Sequence, residues 1–481
     1  MAKIMANELI PQTDELTSGF FSQTGNRIAR ALRGLTGAAR IALTRTLRPN
    51  LPDDDLNWLR TRIDICLAVR GGEVSAREVA AEIGRYYLML NDTGRQRFLN
   101  MLAVQYGVDH AAVRNKAQEL AIVSGDALIG VEDALRDLLE SPRLRLLKRF
   151  NGIAGGVKFL VDLRADLLRL SRKDAQLAPL GRELRALLAS WFDAGFLELR
   201  IIDWYSPAAL LEKLIAYEAV HEIRSWSDLK NRLDSDRRCF AFFHPAMPEE
   251  PLIFVEVALV NGMAGNVQNL LDESTPSSNA EEADTAIFYS ISNAQAGLAG
   301  VSFGELLIKQ VVAELQVEFP RLKTFATLSP IPGFAAWLSE ICASDQAGTL
   351  LPVAETMQLI AVAGLDQADK ALQMLLADKF WPNDPRKTMA LRAPMMRLCA
   401  HYLFRERSGA NRAKDPVAHF HLSNGARIER INWLGDQSDK GMTQSHGMMV
   451  NYLYKLGDVE KNYERYTGGH VAASPVIRDL C

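Results

Sequence analysis

The chain has 481 residues, 48% of them hydrophobic, with 55 basic against 58 acidic side chains and a formal net charge of -3. That much apolar material can fill a large core and points to two domains rather than one, while the nearly balanced charge gives no global field to draw in nucleic acid or an anionic membrane. No apolar run approaches the roughly 18 residues of a membrane span, and the five cysteines, Cys66, Cys239, Cys342, Cys399 and Cys481, never pair as CxxC, so a reducing, cytoplasmic setting is expected and a disulfide framework or structural zinc is not.

Residues 1–52 read as a flexible basic arm. Between Gly25 and Asn50 there are six arginines (Arg27, Arg30, Arg33, Arg40, Arg45 and Arg48) and no acid. The composition is that of a transit peptide, but Glu8, Asp14 and Glu15 precede it, which favours a mobile arm or a helix docked on the body. From 53 to 188 long Leu/Ala/Val/Arg periods, broken at Arg70 to Gly72, Asn91 to Gly94, Ser141 to Pro142 and Gly152 to Gly156, predict a helical domain. It has no cluster of His, Cys or paired carboxylates at ligand spacing, so packing and self-association are its expected tasks.

Residues 189–481 form the second predicted domain. A helix around Glu183 to Gly195 spans the boundary and another covers Ala208 to His221. The runs CFAFFHPA (Cys239 to Ala246) and LIFVEVALV (Leu252 to Val260), separated by MPEEP, predict an antiparallel hairpin. The polar stretch Asp272 to Asp284 is a surface loop. Next come a strand (Thr285 to Ser292), the loop QAGLAG (Gln295 to Gly300), a helix (Val301 to Glu318) and a strand (Lys323 to Leu328) ending at Ser329, where Pro330 and Pro332 stop both strand and helix. In the helix Phe303, Leu307, Val311 and Leu315 share a face, and Glu305 and Lys309 sit one turn apart.

A strand, a glycine loop and a helix in that order build an anion site. The free N–H groups and positive dipole end of the helix face the loop, and Gly297 and Gly300 would let a phosphate approach the backbone. Glycines needed only for a tight turn explain the loop about as well. GxGxxG and its acidic ribose partner are absent, as is a GKS or GKT of a P-loop.

A mostly helical insertion covers about 334–405. Ser329 serves either as a cap for the turn after Gly333 or as a site residue, and no GxSxG surrounds it. The segment PVAHFHLSNGARIERINW (Pro416 to Trp433) predicts a hairpin turning at Asn424 and Gly425, with His419 and His421 on one face and Phe420 and Leu422 on the other. A histidine there is either packed core or a proton donor near neutral pH, and the chemistry alone leaves His419 and His421 both open. The remaining histidines lack HExxH or similar spacing, so no metal is expected.

Taken together, TLSPIPGF (Thr327 to Phe334), SISNAQAGLAGVSFGELLIKQVV (Ser290 to Val312) and VAHFHLSNGARIERINWLGD (Val417 to Asp436) resemble the malonyl-CoA decarboxylase family. So do GGVKFLVDLRADLL (Gly155 to Leu168) and SPAALLEKLIAYEAVHEIRSWSDLKNRL (Ser206 to Leu233), and the likeness runs from about Val74 to Tyr466. It implies an α+β protein: an N-terminal all-helical oligomerisation domain and a C-terminal mixed α/β catalytic domain similar to the acetyl-CoA-dependent N-acetyltransferases. CoA contacts would fall on Ala299, Gly300, Val301, Ser302, Phe303, Gly304 and Glu305, the catalytic serine on Ser329 and the catalytic histidine on His421, both touching substrate. Tyr454 in NYLYKL matches a family tyrosine, and Gln295, Gly297 and Asn424 are supporting candidates.

The resemblance further implies conversion of malonyl-CoA to acetyl-CoA and carbon dioxide. The thioester is itself the electron sink, so no cofactor or metal is required. His421 would protonate carbon 2, Ser329 would engage the malonyl group, and Glu305 or Tyr454 would orient the pair. A homotetramer built through the helical domain is implied, and the ending RDLC in place of SKL points to the bacterial, cytoplasmic type. A CoA-dependent acyltransferase on the same fold and a non-catalytic malonyl-CoA sensor are the alternatives.

Overall fold

A computed structural model describes residues 45–68, 72–172, 174–275, 277–301, 304–409 and 411–481. The arginines before residue 45, residues 302 and 303, and the side chains of 304–306, including the expected Glu305–Lys309 pair, lie outside the described residues. The chain divides into two compact units. One takes Met1–Glu198, Phe243–Pro251 and Gln295–Ser302, and the other takes Leu199–Phe242, Leu252–Ala294 and Phe303–Cys481.

The first unit is helical: α1 (Asp53–Leu67), α2 (Gly72–Met89), α3 (Asp92–Gln105), α4 (His110–Ile122), α5 (Ala127–Leu139), α6 (Pro142–Arg149), α7 (Gly156–Leu170) and α8 (Ala178–Trp191). The described end of the basic arm docks on it. Arg45 and Arg48 reach the buried carboxylate of Asp55 at 2.9 and 3.0 Å. The breaks read from sequence are helix ends with chemical causes. Ser141 accepts from the Leu144 N–H with Pro142 at the first helical position, and Asn91 accepts from the Gly94 N–H. Gly155 takes φ +71° before α7, whose Phe159 stacks on Phe150 at 4.7 Å.

The second unit is built on a sheet of β1 (Glu198–Ile202), β2 (Arg237–Phe243), β3 (Ile253–Val260), β4 (Thr285–Asn293), β5 (Thr324–Thr327), β6 (Ser329–Pro330), β9 (Arg427–Asn432) and β10 (Met449–Leu453); a small separate ladder pairs β7 (Arg407–Ser408) with β8 (Arg412–Ala413). Its order is β1-β2-β3-β4-β5-β10-β6, with β9 also on β10. The expected hairpin is there as antiparallel β2 and β3. β4 and β5 run parallel, Thr285 beside Thr324 and Phe288 beside Thr327. The crossover between them is α12 (Gly304–Glu318), preceded in the chain by α9 (Ala208–Tyr217), α10 (Trp226–Arg232) and α11 (Val267–Leu271). Leu307, Val311 and Leu315 of α12 are buried, as their spacing requires. One face of the sheet packs Ala258, Ile287, Tyr289, Ala326, Leu328 and Met449 against Val267 and Leu270.

The insertion is helical as expected: α13 (Phe334–Ala343), α14 (Val353–Ala363), α15 (Ala368–Ala377) and α16 (Pro385–Phe404). The chain closes with α17 (Pro416–Ser423), α18 (Asp439–Ser445), α19 (Val459–Thr467) and α20 (Pro475–Asp479).

Two expectations are corrected. Pairing does not stop at Ser329, because Ser329 and Pro330 lie opposite Val450 and Met449 of β10. The first arm of the predicted hairpin is instead the helix α17. Asp415 caps it by accepting from the Val417 and Ala418 N–H groups, and Pro416 stands at its first position. Asn424 is its C-cap and Gly425, at φ +79°, its left-handed terminator; Gly425 N–H reaches the Leu422 carbonyl and Ala426 N–H the His421 carbonyl. This Schellman closure uses the same Asn-Gly pair that a hairpin turn would use.

Candidate active site

The helix α17 changes what its histidines can do. Two residues apart on a helix lie about 200° apart rather than on one face. His419 Nδ1 meets Tyr466 Oη at 2.7 Å, whereas His421 turns inward and is only 3% exposed. His421 Nε2 lies 3.1 Å from Ser329 Oγ, and His421 Nδ1 lies 2.8 Å from Tyr454 Oη. The ring is fixed between aromatic neighbours: Tyr452 stacks on it at 4.6 Å and Phe420 meets it edge-on at 5.0 Å.

The serine is held from its other side. Its hydroxyl donates to Thr327 Oγ1 at 2.8 Å, and that same oxygen accepts the Tyr452 N–H at 3.1 Å. Asn451 Nδ2 donates to the Thr327 carbonyl at 2.7 Å, fixing the end of β5. Ser329 is therefore not a cap for the following helix; α13 begins at Phe334 with Gly333 at its N-cap, and the Gly333 N–H donates to Asp415 Oδ2. Thr327, Tyr452 and Asn451 were not singled out from sequence. Thr327 alone had a signal, as the residue two before Ser329 on the same strand face.

The electrostatics are those of a neutral site. Burial alone pushes His421 down to about 3, so its imidazole carries no charge near pH 7. Burial likewise raises Tyr454 far above the ordinary phenol value, so it stays protonated. The proton positions have two consistent arrangements. In one, Tyr454 donates to Nδ1 and Nε2–H donates to Ser329. In the other, Ser329 donates to Nε2 and accepts from the Thr327 hydroxyl in place of donating to it, and Nδ1–H donates to the Tyr454 oxygen. No described carboxylate backs the histidine, so this is not a hydrolase triad poised to form an imidazolium. Among the described residues no group of three His, Cys, Asp or Glu is placed to hold a metal.

The remaining sequence candidates lie elsewhere. Asn424 Nδ2 donates to the Phe420 carbonyl at 2.7 Å and serves the end of α17. Gln295, in the helical unit, donates to the Pro251 carbonyl at 2.8 Å. The loop from Gln295 to Val301 also belongs to that unit, and its glycine logic differs from the expectation. A Cβ on Gly297 would sit 1.8 Å from the Val161 carbonyl oxygen of α7, so Gly297 is required by close packing. The N–H groups of Leu298, Ala299 and Val301 are consumed inside the loop, by Gln295, Ala296 and Leu298 carbonyls. These three amides are therefore engaged within the loop itself. Of the other expected CoA contacts, Ser302 and Phe303 lie outside the described residues, and Gly304 opens α12.

Comparison with known proteins bears on this geometry. Residues 195–481 match the family model for the malonyl-CoA decarboxylase C-terminal domain, and residues 106–192 that for the N-terminal domain. The chain belongs to the malonyl-CoA decarboxylase family. It is similar to a protein named malonyl-CoA decarboxylase, mitochondrial, from Anser anser anser, at 41% identity over 421 residues, 84% of this chain and 83% of that one. The Rattus norvegicus protein of the same name is 38% identical over 479 residues, 95% of this chain and 93% of that one. Crystal structures of family members from Agrobacterium vitis and Rhodopseudomonas palustris superpose with TM-scores of 0.79 and 0.80 at 43% and 40% identity, each covering 88% of this chain and 99% of the other. The helical first unit and mixed α/β second unit follow the architecture that the resemblance implied. Among the described residues no helix is long and apolar enough to cross a membrane.

Proposed function

We propose that this protein decarboxylates malonyl-CoA to acetyl-CoA and carbon dioxide, with Ser329 and His421 acting on the malonyl group. The observation that carries the assignment is the 3.1 Å contact between Ser329 Oγ and His421 Nε2, two groups 92 residues apart in the chain. Cleavage of the bond from carbon 2 to the carboxylate sends its electron pair into the thioester carbonyl, releasing carbon dioxide and leaving an enolate. The enolate takes one proton at carbon 2. His421 supplies it from Nε2, directly or through the Ser329 hydroxyl, while Nδ1 takes the Tyr454 proton. Exchanging protons on its two nitrogens in this way spares a residue held at about 3 from ever becoming an imidazolium. Solvent replaces the phenol's proton in the same step, so Tyr454 does not stand as a buried phenolate either.

The electron sink lies in the substrate, so the reaction is assigned without a cofactor or metal. An acetyltransferase-like fold accommodates it, supported by the parallel β4–β5 pair flanked by antiparallel β3 and β10. The segment Ala299 to Glu305 keeps its family-implied role in CoA contact. A homotetramer formed through the helical unit is supported by α4 and α5. Of their side chains only Val131 is buried, while Ile122 and Ile129 stand 86% and 65% exposed. A cytoplasmic setting fits the cysteines, of which only Cys481 is exposed and none is paired.

The test is release of acetyl-CoA and carbon dioxide from malonyl-CoA by purified protein without added metal or cofactor, beside Ser329→Ala and His421→Ala. Loss of at least about 100-fold in both variants is expected for removal of the acid chemistry. A folded wild-type protein that releases neither product, or a His421→Ala variant turning over normally, would overturn the assignment.

A further inference from the structure

Arg430 of β9 points away from the reacting pair. It stands opposite Asn451 of β10, and the next residue on that strand, Tyr452, stacks on the His421 ring, so Arg430 and Asn451 occupy the other face of the sheet. Arg430 is fixed there by neutral groups alone. Its Nε donates to Asn432 Oδ1 at 2.8 Å and to Asn451 Oδ1 at 3.2 Å, and its Nη2 donates to the Met263 carbonyl at 2.9 Å. Nη1 makes no hydrogen bond within the described residues. The acid beside it in the chain, Glu429, is bonded to Arg427 at 2.6 Å.

The guanidinium borders an open cleft of about 440 Å³, the size of a small-molecule site. Arg392 of α16 also lines it, exposed and without an ion-pair partner among the described residues, and Met396 one turn on shares its helix face. Trp433 supplies another wall, its ring packed 5.4 Å from the buried Trp381. Gly265 leaves the guanidinium uncovered, since a Cβ there would come within 2.8 Å of both Arg430 Nη2 and Asn432 Oδ1. Among the described residues that line the cleft none is acidic.

Two cations beside one cleft repel each other, and burial already works against the charged form of Arg430, with Glu429 acting the other way. Two carboxamides and a carbonyl could be held by neutral donors equally well, so the paired guanidinium groups are accounted for by an anion between them. Their planar forks match a carboxylate, and Met396 and Trp433 offer apolar surface that a bare inorganic ion would leave unused.

We infer that Arg392 and Arg430 form a binding site for a small organic carboxylate with an apolar body, the carboxylate on the guanidinium groups and the body against Met396 and Trp433, on the sheet face opposite the Ser329–His421 pair. The site does not depend on the decarboxylase reading, and its occupant is not the reacting malonyl group.

The experiment titrates the full-length protein with hexanoate, hexanol and inorganic phosphate by isothermal titration calorimetry at fixed ionic strength. Wild type should bind hexanoate with a Kd of about 1 mM or tighter. Hexanol, which lacks the charge, and phosphate, which lacks the apolar body, should each bind at least about tenfold more weakly. Arg392→Gln removes an exposed side chain with no ion pair to lose, and a thermal melt matching wild type confirms its fold. It should weaken hexanoate about tenfold, with partial recovery in Arg392→Lys. His421→Ala should bind hexanoate as wild type does, because the ligand lies on the other face. Absence of hexanoate binding in wild type, equal binding in Arg392→Gln, or hexanol or phosphate bound as tightly as hexanoate would overturn the inference. Loss of hexanoate binding in His421→Ala would do the same, by placing the ligand at the reacting pair.

Discussion

Tyr454 Oη lies 2.8 Å from His421 Nδ1, on the opposite edge of the ring from Ser329. The phenol therefore sets which ring nitrogen carries the proton, and through it whether Ser329 gives or receives one. Tyr454→Phe keeps the ring and removes only this contact. We expect kcat to fall about 10- to 100-fold with KM for malonyl-CoA within about twofold, because proton delivery and not binding is lost. Steady-state kinetics on the purified variant checks this, and unchanged kcat would remove Tyr454 from the relay.

Thr327 holds Ser329 from behind. Its hydroxyl oxygen accepts both the Ser329 hydroxyl and the Tyr452 N–H, and Thr327→Val replaces it with a methyl of similar size. A freed serine rotamer predicts a loss of about tenfold in kcat. The buried Tyr452 N–H loses its side-chain partner too, at about 1–3 kcal/mol of stability. A urea melt and a turnover assay read the two effects separately, and Thr327→Ser should recover both.

His421 offers a pH test with a definite sign. Burial holds its folded value at about 3, below the ordinary 6.5 of an unfolded histidine. The unfolded chain thus takes up the proton first, and the contribution to stability, complete above about 6.5, is lost as pH falls toward the folded value. Between pH 7.5 and 5.5 the stability gap between wild type and His421→Asn should narrow by about 1.4 kcal/mol. Taking the difference cancels groups of opposite sense, such as Glu256, which burial and the nearby Glu218 raise to about 8. For the same reason the kcat profile should show no histidine step near pH 6.5.

Gly297→Ala separates packing from ligand approach. The new Cβ would overlap backbone atoms of Val161, which cannot swing aside, so we expect a loss of about 1–3 kcal/mol or more in a thermal melt. Gly300→Ala meets no close atom and suffers only the left-handed backbone penalty of about 1–2 kcal/mol. A Gly297→Ala protein that melts normally but binds CoA poorly would return this glycine to the role first read for it.

Much of the sheet was legible because its strands are long apolar runs bounded by turn residues: β2, β3 and β4 appear where CFAFFHPA, LIFVEVALV and TAIFYSIS stand. Ser329 and His421 were reachable through family resemblance, and the structure brings them into hydrogen-bond contact. Their local setting was less legible. The alternation in HFHL matches a strand, yet Asp415 and Pro416 ahead of it and Gly425 behind it are helix signals, and these end groups outweigh a four-residue pattern. Thr327, Tyr452 and Tyr454 meet around His421 only through strand pairing across more than a hundred residues, which no local pattern encodes. Nothing in the segment around Arg164 shows that its guanidinium meets the carbonyls of a loop over 130 residues away.

β10 lies between β5 on one side and β9 on the other, and Val450 faces both Ser329 and Ile431. Tyr452 supplies the stacking ring and the N–H to Thr327, and Tyr454, just beyond the strand, supplies the phenol. The whole constellation is thus indexed by the alignment of one five-residue strand. β9 accommodates an extra residue at Glu429, where Asn451 faces Arg430 and Tyr452 faces Ile428, so irregularity is absorbed by the neighbour while β10 keeps its count. Sliding β10 by a single position would turn its side chains to the opposite face and dismantle the chemistry while leaving most of the core intact. A one-residue deletion in the turn leading into this strand would then yield a folded but inert protein, an outcome that mutagenesis of the polar groups alone would never disclose.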